Sequence, residues 1–134
     1  MERIKSVLGF KERLSRRNVI LFAFAAWSGP AHQSRDTVDT AFNHLQRTVP
    51  MLDLSLLEID FTEQEGEIWD WAGVWLTTKT NIDADAFMYS GAGPVAWICE
   101  GNIVDSVANA RHTGAAALVD RSVRAFEAKV DNGG

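Results

Sequence analysis

Ser28 and His32 are the pair of side chains best spaced for catalysis in this chain, one helical turn apart at i and i+4. A serine hydroxyl is a weak nucleophile and needs a neighbouring base, a part that His32 would take in a Ser–His hydrolase. No third residue in the sequence can be named to orient the imidazole, and serine at a helix start serves more simply as a cap. Cys99 closes the apolar run Val95-Ala-Trp-Ile-Cys99. There it reads as a small buried hydrophobe, because a reactive thiolate needs polar, electropositive surroundings. His32, His44 and His112 lie far apart, with no cysteine or carboxylate at a metal-ligand spacing. Asn81-x-Asp83-x-Asp85 opens like a calcium loop, but Ala86 stands where that loop needs glycine and Ala92 where it needs glutamate. A helix cap is the better reading. Gly91-Ala-Gly93-Pro94 has no following Lys-Ser/Thr and is no phosphate loop. The sequence therefore predicts no catalytic residue, no metal and no cofactor.

The stretch that must position Ser28 is Val19-Ile-Leu-Phe-Ala-Phe-Ala-Ala-Trp27. It is too short to span a bilayer and too continuous for a half-exposed strand, so it reads as a strand covered on both faces. Ser28-Gly29-Pro30 follows, with Ser as N-cap and Pro pre-shaped for a first helical turn. Val38, Ala41, Phe42 and Leu45 then recur at helical spacing. Along the chain the patterning predicts helix over 2–16, strand over 18–27, helix over 29–47 ending before Pro50, and strand over 53–61. Thr62-Glu-Gln-Glu65 has the spacing of a capping box and predicts a third helix reaching about Thr78. A short helical turn over 83–89, a hairpin of strands 95–99 and 103–107 across Glu100-Gly-Asn, and a closing helix over 114–130 capped by Thr113 complete the set. One domain spanning 1–134, an α/β mixed four-stranded sheet sandwiched by helices, is the expected architecture.

Strand, Trp27-Ser28-Gly29-Pro30-Ala31, then helix resembles the active-site segment of thioredoxins, whose motif is Trp-Cys-Gly-Pro-Cys. Ser28 and Ala31 stand where the two cysteines would be. The likeness continues through Leu54–Phe61, ending in Glu-Ile-Asp, and through Gly93-Pro94, which stand where that family places a cis-proline before its fourth strand. The resemblance implies a thioredoxin-like fold, a cis Gly93–Pro94 bond and a binding groove formed by Trp27, Ser28, Gly29, Pro30, Ala31, Gly93 and Pro94. It does not carry over the dithiol chemistry: both cysteines are missing, and Phe22 stands where thioredoxins have a buried aspartate. Between Asp60 and Pro94 lie 33 residues, roughly twice what the family pattern needs. The surplus reads as an extra Trp-rich helix inserted before the cis-Pro loop.

Composition bounds the partners. The net charge is −5, with six Lys/Arg against two Glu in residues 1–17 and an acidic body beyond them. An acidic body argues against nucleic-acid binding, which needs a basic surface for phosphates. It leaves a basic partner open. A single cysteine rules out an internal disulfide and fits a cytoplasmic location. Ser15-Arg16-Arg17-Asn18 ahead of an apolar run has some likeness to an export signal. Cleavage after residue 31 would remove the central strand, so a basic amphipathic helix is the expected reading, with no integral membrane segment.

Five tryptophans are many for 134 residues. Trp69, Trp71 and Trp75 cannot all face one way at about 100° per residue. Trp71 and Trp75 share a face with Ile68, which leaves Trp69 beside Glu65, Glu67 and Asp70 either as a candidate contact aromatic or covered by the long connection around Thr77–Ala92 folding back. Three functional readings follow. The first is a redox-inactive module that binds another protein, as an adaptor, assembly factor or toxin-neutralising protein. The second is a glutathione- or thiol-dependent enzyme using Ser28 at the helix N-terminus, as the wider thioredoxin-like superfamily implies. The third is a homodimer formed through the tryptophan helix.

Overall fold

Strand β2 (Asn18–Phe24) is buried at all seven positions, and its odd and even residues enter two different cores. Val19, Leu21 and Ala23 meet one layer of helices, while Ile20, Phe22 and Phe24 meet the other. This is why the run carries no polar alternation: neither face reaches water. Each large side chain buried this way contributes about 1.5–3 kcal/mol. The computed structural model describes residues 1–79 and 82–133.

Around β2 the described residues form a five-stranded mixed sheet in the order β1-β3-β2-β4-β5. β1 is Glu2–Arg3, β3 Leu54–Asp60, β4 Val95–Cys99 and β5 Asn102–Val107. β2 runs parallel to β3 and antiparallel to β4. Helices α2 (Gly29–Thr48) and α6 (Ala115–Gly133), with the short α5 (Ala110–Thr113), cover one face; α1 (Val7–Leu14), α3 (Glu67–Lys79) and α4 (Ala84–Tyr89) belong to the other. The β4–β5 hairpin turns through Glu100 and Gly101, both at positive φ (50° and 84°), the two-residue geometry that matches strand twist. On α3, Trp71 and Trp75 stack on each other and both press on Phe10 of α1. No described helix is long and apolar enough to cross a membrane.

Four expectations are corrected. The sheet has five strands rather than four, because Glu2 and Arg3 pair with Leu57 and Glu58. Two charged residues carry no apolar signal, so that strand is silent in the sequence. The first helix accordingly starts at Val7, capped by Ser6, whose hydroxyl accepts from Gly9 N–H at 3.0 Å. The third helix starts at Glu67 rather than at Thr62: the Thr62 hydroxyl accepts from Ala26 N–H (2.7 Å) and donates to the Asp60 carboxylate (2.5 Å), so it joins β2 to β3 instead of capping. The closing helix begins at Ala115, as expected, but Thr113 does not cap it, because Gly114 at φ +85° separates it from a short helix before it. Thr113 ends α5, and its hydroxyl donates to Asn109 C=O. Asp83 caps α4 by accepting from Asp85 and Ala86 N–H, as expected, while Asn81 lies outside the described residues.

Glu58 is the one acidic side chain buried in the sheet among the described residues. It takes Arg3 Nε on one oxygen at 2.9 Å and Arg35 Nε and Nη2 on the other at 2.9 and 2.6 Å. Arg35 also lies over the Phe24 ring, 3.6 Å from its centroid. A buried carboxylate is tolerable only when paired in this way. Nearby on α2, burial pushes the Asp39 carboxyl above its ordinary value, against the opposing pull of the chain's N-terminal ammonium and Arg35. The folded state therefore favours the protonated acid. That contribution is complete below the unfolded pKa and is lost as pH rises through the folded one. Asp39→Asn should melt higher than wild type at neutral pH, with the gap closing as pH falls below the carboxylate range. Identical melting curves at pH 7 would contradict the burial argument.

Candidate functional site

β2 ends at Phe24, and Ala25-Ala26-Trp27 carry the chain out of the sheet to Ser28, which has extended dihedrals (φ −107°, ψ 120°) as an N-cap should. Its hydroxyl accepts from Ala31 N–H at 3.3 Å and donates to Gly91 C=O at 2.5 Å. Ser28 is 7% exposed and Ala31 fully buried, so neither motif position presents a group to solvent. Gly29 and Pro30 are exposed at the first turn of α2.

The Gly91–Pro94 loop lies directly on this helix start. Gly91 (φ +64°) faces the Trp27 ring so closely that a Cβ there would sit 2.7 Å from it. Gly93 (φ +79°) lies against Ser34 of α2, where a Cβ would overlap the serine side chain. All four carbonyls of the loop are taken. Gly91 accepts from Ser28 Oγ (2.5 Å) and Ala92 from Ser34 Oγ (2.9 Å). Gly93 accepts from Ala110 N–H (3.0 Å) and Pro94 from Ala23 N–H (3.1 Å). No peptide bond among the described residues is cis, which corrects the expected cis Gly93–Pro94 bond. The physical reason is local: with Gly93 in the left-handed region, the chain makes its reversal at the glycine.

The chemistry sketched from residue types is not assembled. His32 Nε2 is 3.0 Å from Ala26 C=O, and its ring stands edge-on to Phe24, so it does not meet Ser28. The Ser28 proton is committed to Gly91 C=O, and the Gly93 carbonyl accepts from Ala110 N–H. Cys99 is buried at the opposite end of β4 from Pro94, with its thiol 3.7 Å from Ala125 C=O. Among the described residues no group of three or more His, Cys, Asp or Glu is arranged to hold a metal ion.

What the site does present is aromatic. Trp27 is 54% exposed and Tyr89, at the end of α4, 49%. Trp69 is half-buried, edge-on to both Phe61 (5.4 Å between centroids) and Tyr89 (4.8 Å). Trp69 and Tyr89 are in contact and Trp27 packs on Gly91, two residues beyond Tyr89 in the chain, which makes the three aromatics a candidate band. Trp27 and Trp69 were legible as candidates; Tyr89 was not, because only its contact with Trp69 gives it a place. Gly29, Pro30 and the buried Ser28, Ala31, Gly93 and Pro94 support the band more than they line it.

No protein-family model matches the chain, and no curated protein matches it. Solved structures do. A putative oxidoreductase with a thioredoxin fold is 12% identical at a TM-score of 0.62, covering 89% of this chain and 90% of that one. Thioredoxin O2 from Arabidopsis thaliana, in the oxidised state, is 15% identical at 0.62, covering 93% of each chain. A mutant thioredoxin from Halobacterium salinarum is 15% identical at 0.60, covering 93% and 89%. At these identities the likeness is one of fold, and the fold is thioredoxin-like.

Ser28→Ala removes the N-cap and leaves Gly91 C=O without its donor, which should cost about 1–3 kcal/mol. Gly93→Ala adds positive-φ strain to the overlap with Ser34 and should cost more, about 2–5 kcal/mol. Thermal unfolding checks both. An unchanged melting temperature for Gly93→Ala would mean that the loop is not packed on α2 as described.

Proposed function

We propose that this thioredoxin-fold chain is a protein-binding module without dithiol chemistry, and that its contact surface is the aromatic band of Trp27, Trp69 and Tyr89. One observation carries the reading. At the helix start where a redox thioredoxin keeps its cysteine pair, this chain has a buried serine and a buried alanine, while the adjoining Trp27 stands half in water. A serine hydroxyl is not ionised by a helix N-terminus as a cysteine thiol is. Exposed tryptophan and tyrosine are the residues most enriched in interface hot spots. The rim supports the same reading: Glu63, Glu65, Glu67 and Asp70 are exposed around α3.

The test pairs two measurements. Immobilised wild type, Trp27→Ala and Ser28→Ala proteins are used to capture partners from native lysate, with mass spectrometry of what is retained. A stoichiometric protein kept by Ser28→Ala and lost by Trp27→Ala is the expected result. In parallel, turnover of a disulfide substrate should not exceed background, in wild type or in Cys99→Ser. Turnover that disappears in Ser28→Ala, together with a higher melting temperature in glutathione, would replace the binding reading with a thiol-dependent enzyme.

A further inference from the structure

The chain's charge is unevenly spread in a way that bears on the partner. Residues 54–100 hold nine of its 18 acidic residues and only one, Lys79, of its 13 basic ones. Within this stretch α3 and α4 flank an open, shallow groove of about 440 Å³. Trp69 and Tyr89 line it, Val74 on its wall is 63% exposed, and Gly73 lies opposite Met88. A Cβ at Gly73 would reach ordinary contact with Met88, at 3.7 Å, so glycine there keeps the groove open. Asp70 and Asp85 line it, each in the first turn of its helix, and neither is in an ion pair among the described residues.

Aromatic faces beside free carboxylates are the components that hold a guanidinium or ammonium group, through cation–π attraction and charge-assisted hydrogen bonds. The protein builds that arrangement once for itself, where Arg35 lies on Phe24 while bonded to Glu58. The lining of the α3–α4 groove includes both components, Trp69 and Tyr89 with Asp70 and Asp85. We infer that it takes an Arg or Lys side chain from a basic segment of the partner protein, with the side chain's stem against Trp69, Val74 and Tyr89 and its charge at Asp70 and Asp85. The inference rests on the binding-module reading and names the chemistry of its partner. An acidic or neutral segment would gain nothing from these carboxylates, and a net −5 chain repels the former.

The probe is an Arg-Gly repeat peptide, titrated into the full chain by NMR beside its citrulline counterpart, which keeps the shape and removes the charge. The expected result is shift changes at the Trp69 indole, Gly73 and Tyr89, falling with added salt. Affinity should drop at least about tenfold in Asp70→Asn/Asp85→Asn and be lost with citrulline. Both aspartates are exposed and neither is in an ion pair among the described residues, so the double variant should fold, with at most a small shift in melting temperature from the lost helix-start charges. Equal affinity for the citrulline peptide, shift changes centred elsewhere, or no binding would overturn the inference. Partner capture separates the two readings. A protein retained by Asp70→Asn/Asp85→Asn but lost by Trp27→Ala would sink the groove and leave the module standing; no captured protein in any lane removes both.

Discussion

The structure depends on β2 having no wet side. Its two faces fill two separate cores, one with α2 and α6, the other with α1, α3 and α4. A strand sealed in this way delivers only its own ends to the surface. At its C-terminal end the chain must pass from a dry sheet to the first turn of α2 without leaving polar groups unmet. Ser28 does this with a single hydroxyl, accepting from the helix it caps and donating to the loop opposite.

That double use explains the character of the site. A cysteine in the same place would have to keep its sulfur accessible to react. Serine carries no such demand, and here its hydroxyl ties the Gly91–Pro94 loop to the helix. Gly91 and Gly93 allow the approach, one beneath the Trp27 ring and the other against Ser34. The loop's four carbonyls are then used up inside the domain. The result is a closed junction with an aromatic rim.

The sequence made the junction legible and its closure invisible, for one physical reason. β2, β4, the hairpin and the start of α2 announce themselves through apolar continuity and local turn chemistry, both of which are short-range. The bond from Ala110 to Gly93 and that from Ala26 to Thr62 join residues 17 and 36 apart, and no local pattern encodes them. Thr62 shows the hazard well. Its spacing to Glu65 is that of a capping box, but its hydroxyl was already committed across the sheet. β1 was missed because pairing with β3, not hydrophobicity, makes Glu2 and Arg3 a strand. The tryptophans divided as their helical phase required: Trp71 and Trp75 went to Phe10, and Trp69 to the opposite side with Phe61 and Tyr89.

Helix α3 is where fold and surface meet most economically. Its buried face needs large aromatics to fill the gap against α1, and its other side carries Trp69, Asp70 and Val74 towards α4. Nothing in the packing of the first face requires acid on the second. The cations that could have neutralised those carboxylates lie mostly before residue 54, and Arg3, Arg13, Arg16 and Arg35 among them are bonded to Glu2 and Glu58 instead. Internal pairing at Glu2 and Glu58 thus leaves Asp70 and Asp85, beside the aromatic groove, without an ion pair among the described residues. Repulsion among those carboxylates is a standing cost to the isolated chain. A basic segment seated there would relieve it, which couples the stability of the α3–α4 layer to binding.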